Sequence, residues 1–241
     1  MEREYIFIGP SRREWIFGLV YLLVHLLFIQ IILVEILLLF ASIFGFALTD
    51  ILFNVIWLLV ALVVLVLFLG EYLRNSFSRF LEYGLSNLTT VLGGYGIYWA
   101  LSLPLTMLLY VLLPELTNPN NDIVMEMAAR DFGPMFAIGV LLAPVVEEIF
   151  FRGAIFAPLR KVNRLLAYAV SSLLFGFWHV VQPMIFDFSP LLFVTMLIYI
   201  PAGVALARVY ERSGSIWTPI ALHMLINAVA LTLTRVLPVL Y

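Results

Sequence analysis

The 241 residues contain no cysteine. That removes disulfides, thiol nucleophiles and cysteine-based metal sites from consideration. Charge is scarce: Asp, Glu, Lys and Arg make up 12% of the chain, against about 25% in an ordinary soluble domain. The 13 basic residues form no dense cluster of the kind that holds nucleic acid, and there is a single lysine, Lys161. No GxSxG element and no HExxH element occur, which sets aside the serine-hydrolase elbow and the one-helix zinc protease. No internal repeat is visible, which counts against a transporter built from inverted halves.

What remains is overwhelmingly apolar. Hydrophobic residues make up 64% of the chain, and the mean hydropathy is +1.09. A membrane-crossing helix needs roughly 20 apolar residues. Runs of that kind lie at Trp15–Phe40, Ile51–Gly70, Thr90–Leu113, Pro134–Pro158, Leu165–Gln182, Pro190–Arg208 and Ile216–Leu237. The expected fold is an all-α, polytopic transmembrane bundle of about seven or eight spans. It reads as a single membrane domain over 1–241, with N-terminal helices in 1–131 and the functional core in 132–237. The first run is too long for a signal h-region and has no small-residue cleavage site after it, so it is expected to stay as an anchor. EYLRNSFSRFLEYGLSN, between the second and third runs, reads as an interfacial amphipathic helix, and PELTNPNNDIVMEMAARD as a loop.

Charge orients the spans. With the N-terminus in the cytoplasm, the inside segments hold Arg3, Arg12, Arg13, Arg74, Arg79, Arg160, Lys161, Arg164, Arg208 and Arg212. Arg130 and Arg235 fall outside, as the positive-inside rule favours.

Against this background EEIFFRG (147–153) stands out, because ionisable groups inside a span mark function by default. Glu147 and Glu148 are adjacent, so on a helix they point about 100° apart. Glu148 and Arg152 are four apart and share a face, which pairs them and leaves Glu147 free for chemistry. FGFWH ends on His179 with Phe175 one turn before it, placed to shield the imidazole. HMLIN sets His223 and Asn227 on one face. Counting from the nearest inside turn, Glu147 lies roughly 22 Å along its helix, His179 roughly 24 Å, and His223 and Asn227 roughly 16 and 22 Å. Pro144, Pro158 and Pro219 are expected to bend these helices. In the first run His25, Gln30 and Glu35 do not share a face and read as interhelical or interfacial contacts.

Three helices thus offer one free carboxylate, two imidazoles and a carboxamide at similar depth. A glutamate in an apolar pocket suits general base and acid catalysis, and imidazole and carboxamide suit a developing oxyanion. The inventory fits water attack on an amide without a cofactor. Zinc on Glu147, His179 and His223, with water in the fourth position, is the alternative.

The three motifs, in this order on successive hydrophobic spans, resemble those of the CPBP family: EExxxR, FxxxH and a third histidine followed by Asn four residues on. This family comprises the CAAX-prenyl-protease and bacteriocin-processing intramembrane proteases, also called the abortive-infection family. The resemblance covers roughly 133–231. It implies a membrane endopeptidase in which Glu147 activates water, His179 helps hold it, and His223 and Asn227 stabilise the oxyanion. Glu148, Arg152 and Phe175 would support the site. The implied substrate is a membrane-associated protein or peptide, of CAAX type or a leader or bacteriocin peptide. Family members are described both as metal-dependent and as metal-free glutamate proteases, and some relatives act as immunity or regulatory binding proteins.

Overall fold

A computed structural model of the chain describes residue 7 and residues 9–236. Arg3 and the expected end of the last span at Leu237 lie outside the described residues. Within them there is no strand. Seven helices are long and apolar enough to cross a membrane: α1 (Arg12–Phe44), α2 (Asp50–Glu82), α3 (Gly84–Leu112), α5 (Phe132–Val162), α6 (Arg164–Phe186), α7 (Leu192–Ser213) and α8 (Trp217–Val236). Between α3 and α5 lies α4 (Pro119–Arg130).

Two expectations need correction. The stretch after Gly70 is not a separate interfacial helix, because α2 runs on through Glu82. The reason is one polar-pinned face. Ile216 N–H donates to Ser76 Oγ at 2.7 Å, Ser215 Oγ donates to the Ser76 carbonyl at 2.7 Å, and the Trp217 indole donates to the Leu73 carbonyl at 3.0 Å. These bonds fix the end of α2 to the turn between α7 and α8, and Tyr72 adds a 2.7 Å hydroxyl contact to Tyr210. The 114–131 linker, read as a loop, holds a 12-residue helix instead. Its start is written locally: Asn118 caps it by accepting from Asn121 N–H at 3.2 Å, and Pro119 occupies the first turn, where its missing N–H costs nothing.

α5 is the axis of the bundle. In its most apolar window 56% of residues are buried, against 11–17% in α1, α2 and α3. Lipid can cover an apolar face, so it is the ionisable Glu147, Glu148 and Arg152 that call for enclosure by protein, and Ile149, Phe150, Phe151 and Phe156 are enclosed with them. α5 is not a uniform α-helix. It widens into π-helical turns at Ala137–Leu142 and Ile149–Phe156. Each π segment ends two residues before a proline, Pro144 and Pro158. A proline ring crowds the preceding turn and removes its N–H, and a π-turn absorbs both. Pro219 bends nothing, since it lies in the first turn of α8. A third π segment, His25–Ile29 in α1, has no proline after it.

Candidate active site

The Glu147–Glu148 pair sits between the two π segments of α5, and π-turns concentrate at functional sites. Glu148 and Arg152 are both 0% exposed, with Arg152 Nε 3.1 Å from Glu148 Oε2. The contact is an ion pair by distance, without an aligned hydrogen bond. Arg152 donates through Nη2 to the Gly203 carbonyl at 3.1 Å and lies over the Phe175 ring at 4.7 Å. Gly203 has a packing reason: a Cβ there would come within 2.8 Å of Ser172 Cα on α6. Bare backbone at this α6–α7 crossing lets the carbonyl reach the guanidinium.

The second oxygen of Glu148 reaches α8. His223 Nδ1 lies 2.9 Å from Glu148 Oε1, while His223 Nε2 lies 3.9 Å from Glu147 Oε2. Glu148 therefore bridges Arg152 and His223, a link that the sequence reading did not include. Glu147 Oε2 is buried and has no hydrogen-bond partner. Adjacent residues on one helix thus have different surroundings, one tied on both oxygens and the other unbonded at the oxygen facing His223.

His179 joins through Phe175, whose ring lies 4.6 Å from His179, 5.6 Å from His223 and 4.7 Å from the Arg152 guanidinium. His179 Nδ1–H donates to the Phe175 carbonyl at 2.8 Å. A carbonyl only accepts, so Nδ1 carries the proton and Nε2 of the neutral ring keeps its lone pair. Asn227 Nδ2 donates to the Gly139 carbonyl at 2.8 Å, two turns before Glu147 on α5. One of its two amide hydrogens is committed there, and the other remains for a second acceptor.

Several neighbours carried no motif. Tyr199 stacks on His179 at 4.2 Å, and its hydroxyl donates to Asn118 Oδ1 at 2.8 Å, tying the α4 cap to the site. The Trp178 indole is a polar neighbour of the Glu147 carboxylate. Trp178 stacks on Trp57 at 6.0 Å, and Trp57 stacks on His25 at 4.6 Å. His25 is thus an interhelical contact, reaching the α5 region through aromatic rings, whereas Glu35 lies exposed on the bundle surface. The NPNN run and the tryptophan of FGFWH were the available sequence signals.

Among the described residues no three His, Asp or Glu side chains stand together as a metal-ligand set. Both histidines bond a protein partner through Nδ1, which leaves Nε2 facing the site. As arranged, Glu147, His179 and His223 do not form a zinc cage.

The geometry defines an integral, multi-pass helical membrane protein with a buried carboxylate–imidazole site. Residues 130–229 match the model of the family "Type II CAAX prenyl endopeptidase Rce1-like", which places the three motif helices inside the matched region. A curated relative, "Putative membrane peptidase YdiL" of Bacillus subtilis (strain 168), is 29% identical over 181 residues, covering 73% of this chain and 68% of that protein. No solved structure matches significantly.

Proposed function

We propose that this chain is an intramembrane endopeptidase that hydrolyses a peptide bond of a membrane-associated protein or peptide, with Glu147 activating the water. The functional core is 132–237, and the N-terminal helices of 1–131 supply walls. The observation that carries this reading is the unbonded Glu147 Oε2 at 3.9 Å from His223 Nε2, beyond a direct hydrogen bond and short enough for one oxygen atom to sit between them.

Glu147 takes a proton from the water as its oxygen attacks the carbonyl carbon. The tetrahedral oxyanion collapses, the C–N bond breaks, and Glu147 returns the proton to the leaving amine. His179 Nε2, with its lone pair, accepts from the water and holds it. The free amide hydrogen of Asn227 donates to the oxyanion, and His223, its Nδ1–H held by Glu148, donates there from Nε2 in its imidazolium form, where a single donor is worth about 10²–10³ in rate. Arg152 holds Glu148 in place. The family match supports a protein or peptide substrate in the bilayer, and a CAAX-type prenylated peptide is its first candidate.

The test uses purified full-length protein in detergent with a fluorogenic prenylated CAAX-type peptide and a panel of leader peptides. The wild type cleaves at least one of them, and Glu147→Gln, nearly isosteric, loses cleavage while keeping its melting temperature. Cleavage by Glu147→Gln at the wild-type rate overturns the reading. An unchanged cellular phenotype in Glu147→Gln favours the immunity or binding role instead.

A further inference from the structure

At the end of the bundle where α2 turns into α3 and α7 turns into α8, cations outnumber their partners. Glu211, with its side chain 6% exposed, takes Arg160 Nε at 2.9 Å, Arg164 Nη2 at 2.8 Å and Arg208 Nη1 at 3.3 Å. Three guanidiniums on one carboxylate leave a surplus of two positive charges. Lys161 and Arg212, both exposed, enlarge it. Only part of each arginine's five-donor fork is used by Glu211.

Beside this cluster runs a groove between α3 and α7. Arg208 and Arg212, one helical turn apart, form one wall, and Thr90, Gly93 and Ile97 form the other. The two glycines of α3 act differently. A Cβ on Gly94 would meet Val209 Cγ2 at 2.3 Å and Leu222 Cδ2 at 2.8 Å, so Gly94 is where the helices touch. A Cβ on Gly93 would meet nothing within 4 Å, so its face lies open. The result is a trough with an apolar floor, two cations on one wall, and exposed Ile97 and Leu101, one turn apart, along the same face of α3.

We propose that this groove binds one anionic phospholipid, its phosphate on Arg208 and Arg212 and its glycerol and first acyl carbons along Gly93 and Ile97. Charge complementarity selects the headgroup, since basic pockets between membrane helices suit anionic lipid. The apolar floor, continuous with exposed Ile97 and Leu101, selects a lipid over a free anion. The proposal does not depend on the peptidase reading, since it concerns a different surface and its test measures no cleavage.

The experiment is native mass spectrometry of the full chain released from nanodiscs of equal phosphatidylglycerol and phosphatidylcholine. The wild type retains one phosphatidylglycerol in at least tenfold preference to phosphatidylcholine. Arg208→Gln/Arg212→Gln, which removes charge and keeps the trough, lowers the preference at least fivefold. Gly93→Leu, which fills the trough and keeps every charge, lowers it equally. Arg74→Gln, an exposed cation on α2 outside the groove, leaves it unchanged. Thr90→Leu fills the same trough from one turn earlier on the same wall and replaces Gly93→Leu if that variant melts early. Equal loss in Arg74→Gln, or full retention in the trough-filling variants, overturns the site in favour of general surface charge. Displacement of the lipid by millimolar inorganic phosphate overturns the choice of a lipid occupant.

Discussion

His223 Nδ1 stands 2.9 Å from one oxygen of Glu148, and the other oxygen stands 3.1 Å from Arg152 Nε. One carboxylate therefore holds together α5 and α8 and neutralises a guanidinium with no exposure. Glu147, one residue earlier and about 100° around the helix, has no such duty at Oε2. Neighbouring glutamates thus divide into a structural group and a free one.

That division predicts unequal stability losses. Glu148→Leu strands Arg152 and frees His223, and breaking a buried pair from one side costs about 3–5 kcal/mol. Glu147→Leu removes no ion pair within 3.5 Å and is expected to cost less than about 1.5 kcal/mol. Thermal unfolding in detergent compares the two, and equal melting temperatures contradict the assigned pairing.

Gly203→Ala presses a methyl group against Ser172 Cα, where a Cβ would sit at 2.8 Å. Overpacking of this kind costs about 1–3 kcal/mol, and it shifts the carbonyl that receives Arg152 Nη2. Gly93→Ala, with open space around it, is expected to melt within about 0.5 kcal/mol of wild type, apart from the helix propensity gained. Thermal unfolding of the two variants side by side is the check.

Metal removal separates the two chemistries considered for the site. With no three-ligand set among the described residues, peptidase activity is expected to survive dialysis against 1,10-phenanthroline in metal-free buffer. Activity lost to the chelator and restored by zinc establishes the zinc alternative.

Tyr199→Phe keeps the stack on His179 and deletes the hydroxyl shared with Asn118 and Asn120. Loss of such a bond costs about 1 kcal/mol. Limited proteolysis between residues 114 and 131 should accelerate several-fold, with a much smaller change in melting temperature. Unchanged cleavage there shows that the α4 cap does not rely on Tyr199.

Much of this architecture was legible. Seven apolar runs became seven membrane-capable helices, because bilayer thickness sets a length that hydropathy reveals. The Glu148–Arg152 pair followed from helical spacing alone. The bridge from Glu148 to His223 did not, since 75 residues separate them and only packing fixes the contact. Ser76 was hidden for the same reason: it is an ordinary serine until the α7–α8 turn arrives beside it. α4 was misjudged because Asn-Pro-Asn-Asn signals a turn as readily as a capped helix start. Asn227, placed by its spacing on the face of His223, gives one hydrogen to Gly139, a backbone acceptor that side-chain motifs cannot show.

The wide turns over Ile149–Phe156 have a genetic corollary. Deleting one codon there would let the backbone settle into ordinary α-helix, still greasy, still long enough to insert. Because a π-turn holds one residue more than an α-turn, everything beyond the cut would stay near its phase while the side chains inside the wide turns were reseated, Arg152 against its carboxylate among them when the cut falls between the two. A hydropathy plot of such an allele would look unchanged, so a lineage could discard its chemistry while keeping its membrane topology.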